Sequence, residues 1–125
     1  MSWRLTVRTG GRVGHARYDG LDQLLDALEA RGRELAGAVS GQAVDLKVKR
    51  FDPAQQVAAR LELAGPERWF PSVKAGVDIH ADGSAEAFRG GVRRVELEQR
   101  RDEDAFAALR RSLASVLEAA GTPSS

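Results

Sequence analysis

A glycine pair near the start of the chain constrains the fold more than any other feature of the sequence. Residues 3–8 alternate apolar and polar side chains, and Gly10-Gly11 suits the two positive-φ positions of a type I′ turn. Folding about this turn pairs, on one face, Val7 with Gly14, Leu5 with Ala16 and Trp3 with Tyr18. The opposite face then carries Arg4, Thr6, Arg8, Val13, His15 and Arg17. Because one register separates the apolar residues from the cations, the sequence predicts a β-hairpin here.

Two later segments have the periodicity of amphipathic helices. The first has Asp19 as a candidate N-cap and Gly37 as its end, and its apolar stripe is Leu21, Leu24, Leu25 and Leu28. The second has Asp102 as a candidate N-cap and Gly121 as its end, and its apolar face is Ala105, Phe106, Leu109, Leu113, Val116, Leu117 and Ala120. We expect both helices to cover a sheet.

The sequence between the helices predicts a second hairpin over 43–64, turning at Asp52-Pro53-Ala54-Gln55. Its simplest register sets Lys47 opposite Arg60, which is unfavourable for like charges. Either the register is offset by two residues or this face holds a cluster of cations.

Further strands follow this hairpin. Asp82-Gly83-Ser84 predicts a tight turn between strands at 76–81 and 85–88, and residues 92–99 predict a last strand with Val95 and Leu97 facing inward. The expected fold is α+β: a two-layer sandwich with a mainly antiparallel sheet of hairpins, a ββαββββα-like order and two helices on one face.

Composition bounds the classes of protein to which the chain can belong. Its 125 residues predict a single domain over 1–121 and a frayed tail over 122–125. The absence of cysteine excludes disulfides, thiolate metal sites and a cysteine nucleophile. No apolar run of about 18 residues is present, so we expect a cytoplasmic protein without a membrane span.

Motifs that would carry catalysis are missing. The serines lie in no Gly-x-Ser-x-Gly motif, and the glycine pairs lack the spacing of phosphate-binding loops. Asp78, His80 and Asp82 could hold a divalent metal or form an acid–base pair, but the same residues are ordinary hairpin sequence. We therefore expect no catalytic residue, no metal site and no cofactor.

An irregular segment over 65–76 is the first candidate for a binding site. Two prolines flank Arg68, Trp69 and Phe70, and they reduce the entropy cost of holding these side chains in one conformation. Tryptophan and arginine are enriched where proteins contact one another, which predicts a protein-binding loop. Alternatively, at least one of the two aromatic rings caps the open end of the core.

A basic sheet face is the second candidate. If both helices cover one face, the other face presents cations with an interleaved aromatic residue: Arg4, Arg8, Arg17, Lys47, Lys49 and Phe51. Cations and an aromatic ring are what phosphate-backbone and base-stacking recognition require. Glu62, Glu96 and Glu98 interrupt this face, and salt bridges on a solvated sheet explain the same residues.

The layout resembles that of Imm1-type bacterial immunity proteins. The likeness lies in Leu5-Thr6-Val7-Arg8, in residues 21–28, in Asp82-Gly83-Ser84 leading to Gly90-Gly91, and in residues 103–110. This resemblance implies a protein that neutralises a toxin by binding it. The family has aromatic and acidic residues around the Gly-Gly segment, where this chain has Arg89, Arg93 and Arg94. The closing strand and helix also resemble, more loosely, ribosome hibernation factors.

Taken together, these patterns predict a small non-catalytic module that binds another protein, with an immunity or adaptor role among the possibilities. The alternative is a protein that binds nucleic acid or the ribosome through its basic sheet face. The two classes differ in the surface they use: the loop over 65–76 would hold a protein partner, and the basic sheet face would hold nucleic acid.

Overall fold

The described part of the chain forms one antiparallel sheet with two helices. The computed structural model describes residues 2–46, 57–66, 73–90, 95–114 and 116. In chain order the elements are β1 (Trp3–Thr9), β2 (Arg12–Tyr18), α1 (Leu21–Leu46), β3 (Val57–Ala64), β4 (Lys74–His80), β5 (Ala85–Arg89), β6 (Val95–Glu96) and α2 (Ala105–Ser112). The six strands lie in the order β2-β1-β3-β4-β5-β6, and every neighbouring pair is antiparallel. The predicted α+β class is therefore confirmed.

The first hairpin has the register that its sequence predicts. Leu5 lies opposite Ala16, and the outermost pair is Trp3 with Tyr18. Of the two turn glycines only Gly10 has a positive φ, of 56°, which is the pattern of a type II′ turn rather than the predicted type I′. The register survives this change because both turn types close a hairpin with two residues.

The first strand of the predicted hairpin over 43–64 is wrong where the structure describes it, because α1 continues to Leu46. A glycine such as Gly37 costs a helix interior about 1 kcal/mol relative to alanine, but it does not end the helix by itself. β3 consequently pairs with β1 and β4, and Arg60 lies opposite Arg8 on one side and Asp78 on the other.

The core lies between one face of the sheet and the two helices. Its largest fully buried side chains are Leu21, Leu24, Leu25, Leu28, Leu61, Leu63, Val77, Ile79, Leu109 and Leu113. α1 and α2 meet where the Phe106 ring lies against the backbone of Gly32, at which an added Cβ would come within 2.5 Å of the ring. Val95, predicted to face inward, is 64% exposed because β6 is only two residues long and lies at the sheet edge. Among the described residues, no helix is both long and apolar enough to cross a membrane.

The cap of α2 is Asp104 and not the predicted Asp102. The Asp104 carboxylate accepts a hydrogen bond of 2.8 Å from the backbone N–H of Ala107, and it also pairs with Arg33 of α1. The N–H of Ala107 and then the Arg33 guanidinium lower the pKa of Asp104. Arg33 lies 5.0 Å from the centre of the Phe106 ring, so one side chain links the cap to the contact between the helices.

Replacing Leu113 with alanine tests whether the C-terminal part of α2 docks on the core. Leu113 is fully buried, so we expect Leu113→Ala to lower the free energy of unfolding by about 2–5 kcal/mol in urea denaturation. Val95→Ala, at an exposed position, is the control and should change it by no more than about 0.5 kcal/mol. Equal, small effects of both substitutions would contradict the docking.

Candidate functional site

The structure describes half of the residues that the sequence analysis proposed for the basic face. Arg4, Arg8 and Arg17 lie on β1 and β2, exposed on the side of the sheet opposite the helices, which we call the open face. The other proposed residues of this face, Lys47, Lys49 and Phe51, lie outside the described residues, as do Arg68, Trp69 and Phe70 of the predicted binding loop. The loop therefore stays a prediction.

The open face is not uniformly basic. Arg8 and Arg60 lie directly opposite one another on β1 and β3, which by itself is a repulsive pair. Each has a carboxylate partner: Arg8 Nε is 3.5 Å from Glu62 Oε1, and Arg60 Nε donates to Asp78 Oδ1 over 2.7 Å. These contacts neutralise part of the positive charge that the sequence places on this face.

The side chains of Asp78, His80 and Asp82 do not converge. Asp78 binds Arg60, His80 Nε2 lies 3.3 Å from Glu86 Oε2, and Asp82 accepts from both the hydroxyl and the backbone N–H of Ser84. The hydrogen bond from the Ser84 hydroxyl lowers the pKa of Asp82 most, and the hydrogen bond from the Ser84 backbone N–H lowers it further. Among the described residues no cluster of three or more His, Asp or Glu side chains could hold a metal ion.

The far edge of the open face is acidic. Glu86 of β5 and Glu96 of β6 share a hydrogen bond between their carboxyl groups, and this contact together with their mutual repulsion raises the pKa of Glu96. Their strands lie at the opposite end of the sheet from β2. The open face is thus divided into a basic part on the first hairpin and an acidic part on the last strands.

A buried aromatic side chain lies on the open face, over the neighbouring strands β4 and β5. Phe88 is 4% exposed although it faces away from the helices, and its ring lies across Gly76 on the neighbouring strand. A Cβ at Gly76 would collide with that ring and with the backbone carbonyl oxygen of Leu61. The sequence signal for this contact is a glycine in a strand, which often marks a close approach.

A groove on the other side of the first hairpin was not found by sequence reasoning. It lies between the inward face of β1 and β2 and the helix α1, and it encloses about 480 Å³. We call it the hairpin groove, and its main walls are Val7, Gly14, Ala16, Tyr18, Ala27 and Arg31. Arg12 and His15 also reach it, and none of the described residues that line it is acidic.

Gly14 is the residue that leaves this groove open. It lies in the middle of β2, and a Cβ added there would meet no atom of the described residues within 4 Å. Its φ lies outside the left-handed region, so the backbone does not require glycine. A glycine inside a strand lowers stability, and it often marks a bulge, a tight bend or a place where a ligand or another backbone approaches closely.

Comparisons with known proteins give no information about the function of this chain. No family model matches the chain, and neither a curated protein nor a solved structure matches it. The resemblance to Imm1-type immunity proteins therefore stays a prediction.

Alanine substitutions at the two strand glycines should change stability in opposite directions. Gly14→Ala should raise the free energy of unfolding by roughly 0.5–1 kcal/mol, because the site has room and glycine is entropically costly. Gly76→Ala should lower it by about 1–3 kcal/mol, because Phe88 and the Leu61 carbonyl must move. Thermal and urea denaturation of both variants measure the difference. A loss of stability in Gly14→Ala would show that the groove is filled.

Proposed function

We propose that this chain is a non-catalytic protein-binding module and that the hairpin groove is its contact surface. The observation that supports this proposal best is an unfilled groove beside the exposed strand β2. The groove is open at Gly14, where neither a positive φ nor close packing requires a glycine. Binding sites are concave, and largely preformed in the free protein. A groove of about 480 Å³ takes a few side chains of a partner rather than a whole helix.

The position of β2 favours a protein partner. Within the described part of the chain β2 pairs with β1 alone, at one end of the sheet. Residues 12–15 are exposed, and Val13 is an apolar side chain with 49% of its surface accessible. An accessible strand edge beside an apolar groove is a recurring way in which domains hold other proteins.

The proposal includes the absence of catalysis. The carboxylates near His80 are engaged: Asp78 by Arg60, Asp82 by Ser84, and Glu86 by His80 and by Glu96. A general acid–base pair needs groups that converge on a space where substrate can sit. A chain without cysteine needs no oxidising compartment, so we place this binding in the cytoplasm, where an immunity or adaptor role fits.

Affinity capture with matched glycine variants tests the proposal. Gly14→Val fills the groove, and Gly37→Ala is the control, since Gly37 is exposed on α1 and has nothing within 4 Å of an added Cβ. Immobilised wild type and Gly37→Ala should retain the same protein from native lysate, and Gly14→Val should lose it while remaining folded by circular dichroism. If Gly14→Val retains that protein equally well, the groove is not the contact surface.

Nucleic acid is the competing class of partner. A second groove, of about 330 Å³ on the open face, has Arg4, Arg8 and Lys74 on its walls, but Glu62 lies among them. Such a mixed wall weakens attraction to phosphates, and the acidic edge at Glu96 opposes it further.

Fluorescence anisotropy with a labelled single-stranded oligonucleotide decides between the classes. If the open face binds phosphates, affinity should fall steeply between about 50 and 200 mM salt. Arg4→Glu should then weaken it further, and Arg101→Glu, an exposed control away from this groove, should have a smaller effect. We expect no salt-sensitive binding at these concentrations. Tight binding that is lost in Arg4→Glu would replace the protein-binding proposal.

A further inference from the structure

We propose that the hairpin groove takes an extended strand of its partner, which pairs along the edge of β2 that no described strand occupies and alternates apolar with acidic side chains. This inference rests on the proposed function and goes further, because it names the secondary structure and the chemistry of the partner segment. Three features of the hairpin support it: its free backbone groups, its small inward side chains and its charge.

The free backbone groups follow from the turn. A two-residue turn makes Thr9 and Arg12 the first pair, and the pairs of an antiparallel hairpin alternate between hydrogen-bonded and non-hydrogen-bonded. The alternate residues Arg12, Gly14, Ala16 and Tyr18 therefore direct their N–H and C=O groups to β1. Val13, His15 and Arg17 direct theirs away from β1, toward the free edge. This edge offers a partner three evenly spaced donor–acceptor pairs.

The inward side chains next to that edge leave room for those of an added strand. Gly14 has no side chain and Ala16 has one methyl group, and both lie on the groove side of β2. Ala27 of α1 forms part of the opposite wall. Since alternate residues of a strand point to the same face, every second residue of the partner would enter the groove. The residues that meet Val7, Ala16 and Ala27 there are apolar, and Arg12 and Arg31 line the same groove beside them.

Charge selects acidic residues for the remaining positions. β2 carries Arg12 and Arg17, and Arg4 lies directly opposite Arg17 on β1. Residues 1–18 contain no acidic side chain. Arg17 is on the open face of β2, where the outward side chains of an added strand would meet it, while Arg4 lies one strand further in and Arg12 faces the groove. Opposite charges on neighbouring strands are favourable and like charges are not.

The same charges argue against a second copy of this chain as the occupant. Pairing β2 with β2 of another molecule would bring together two strands that each hold two arginines and a histidine and no acid. Charged residues on an edge strand oppose this kind of edge-to-edge association. A partner strand that is acidic on its outward face has no such cost, so the structure favours a different protein.

Selection from a phage-displayed octapeptide library on the immobilised wild-type chain provides the probe. We expect the enriched peptides to alternate apolar and acidic residues. A synthetic copy of one enriched peptide should slow hydrogen exchange at the backbone amides of Val13, His15 and Arg17. Enrichment of basic or non-alternating peptides, or protection of amides elsewhere, would overturn the inference.

A matched pair of substitutions at Val13 tests the backbone pairing directly. Val13→Pro removes a free N–H without breaking a hydrogen bond to β1, because proline is compatible with an edge strand at such a position. Val13→Thr keeps the N–H and the β-branched shape. We expect Val13→Pro to weaken the selected peptide at least about tenfold, and Val13→Thr to stay within about twofold of wild type. Circular dichroism and thermal melting establish that both variants are folded.

The outcomes separate this inference from the proposed function. If the protein captured from lysate is lost with Gly14→Val but kept with Val13→Pro, the groove is the contact surface and the partner does not pair as a strand. If both Gly14→Val and Val13→Pro keep it, the proposed function fails as well. If a folded Val13→Pro and Gly14→Val each lose it while Val13→Thr keeps it, strand pairing is supported. Dimerisation of the wild-type chain that Val13→Pro abolishes would assign the edge to a second copy.

Discussion

The pairing of β1 with β3 is the contact on which the rest of the structure depends. α1 returns the chain to the far side of β1, so that β1 becomes an interior strand with Leu5 opposite Leu63 and Val7 opposite Leu61. These pairs connect the first hairpin to the meander formed by β3 to β6. They also leave β2 at the end of the sheet, with one neighbour among the described strands. The exposed edge and the hairpin groove are both consequences of this strand order.

The two sides of the first hairpin differ in chemistry because their surroundings differ. On the open face, β3 and β4 bring Glu62 and Asp78 close to Arg8 and Arg60, and the charges compensate one another. On the groove side the neighbouring element is α1, which adds Ala27 and Arg31 and no acid to the wall. Arg31 itself pairs with Glu34 of α1, whereas Arg12 and Arg17 of β2 have no carboxylate partner among the described residues. Positive charge is therefore less compensated on β2 than in the middle of the sheet. This difference favours an acidic partner strand over a polyanion lying across the open face.

Three glycines in this fold differ in what surrounds the position where a side chain would lie. Gly32 lets the helices approach, because the Phe106 ring occupies the space of a side chain. Gly76 makes room for Phe88 in the same way within the sheet. Gly14 has open space around it and an unconstrained φ, so its effect on the isolated chain is a loss of stability without a packing gain. A bound partner would supply the missing contact, which is why this position carries the functional proposal.

Local patterns in the sequence predicted the α+β class, the first hairpin with its register and the apolar stripe of α1, since each depends on residues that are close along the chain. The predicted strand at the start of the 43–64 hairpin is wrong as far as Leu46. Tertiary structure decided the rest. Val44 and Leu46 alternate as in a strand, but the chain continues as α1 through Leu46. Two apolar residues are too few to distinguish the helical period of 3.6 from the strand period of 2. Only the strand order brings Arg60 to Asp78 and Gly14 to the wall of a groove with α1. Such contacts join residues far apart in sequence, and no local periodicity encodes which strands become neighbours.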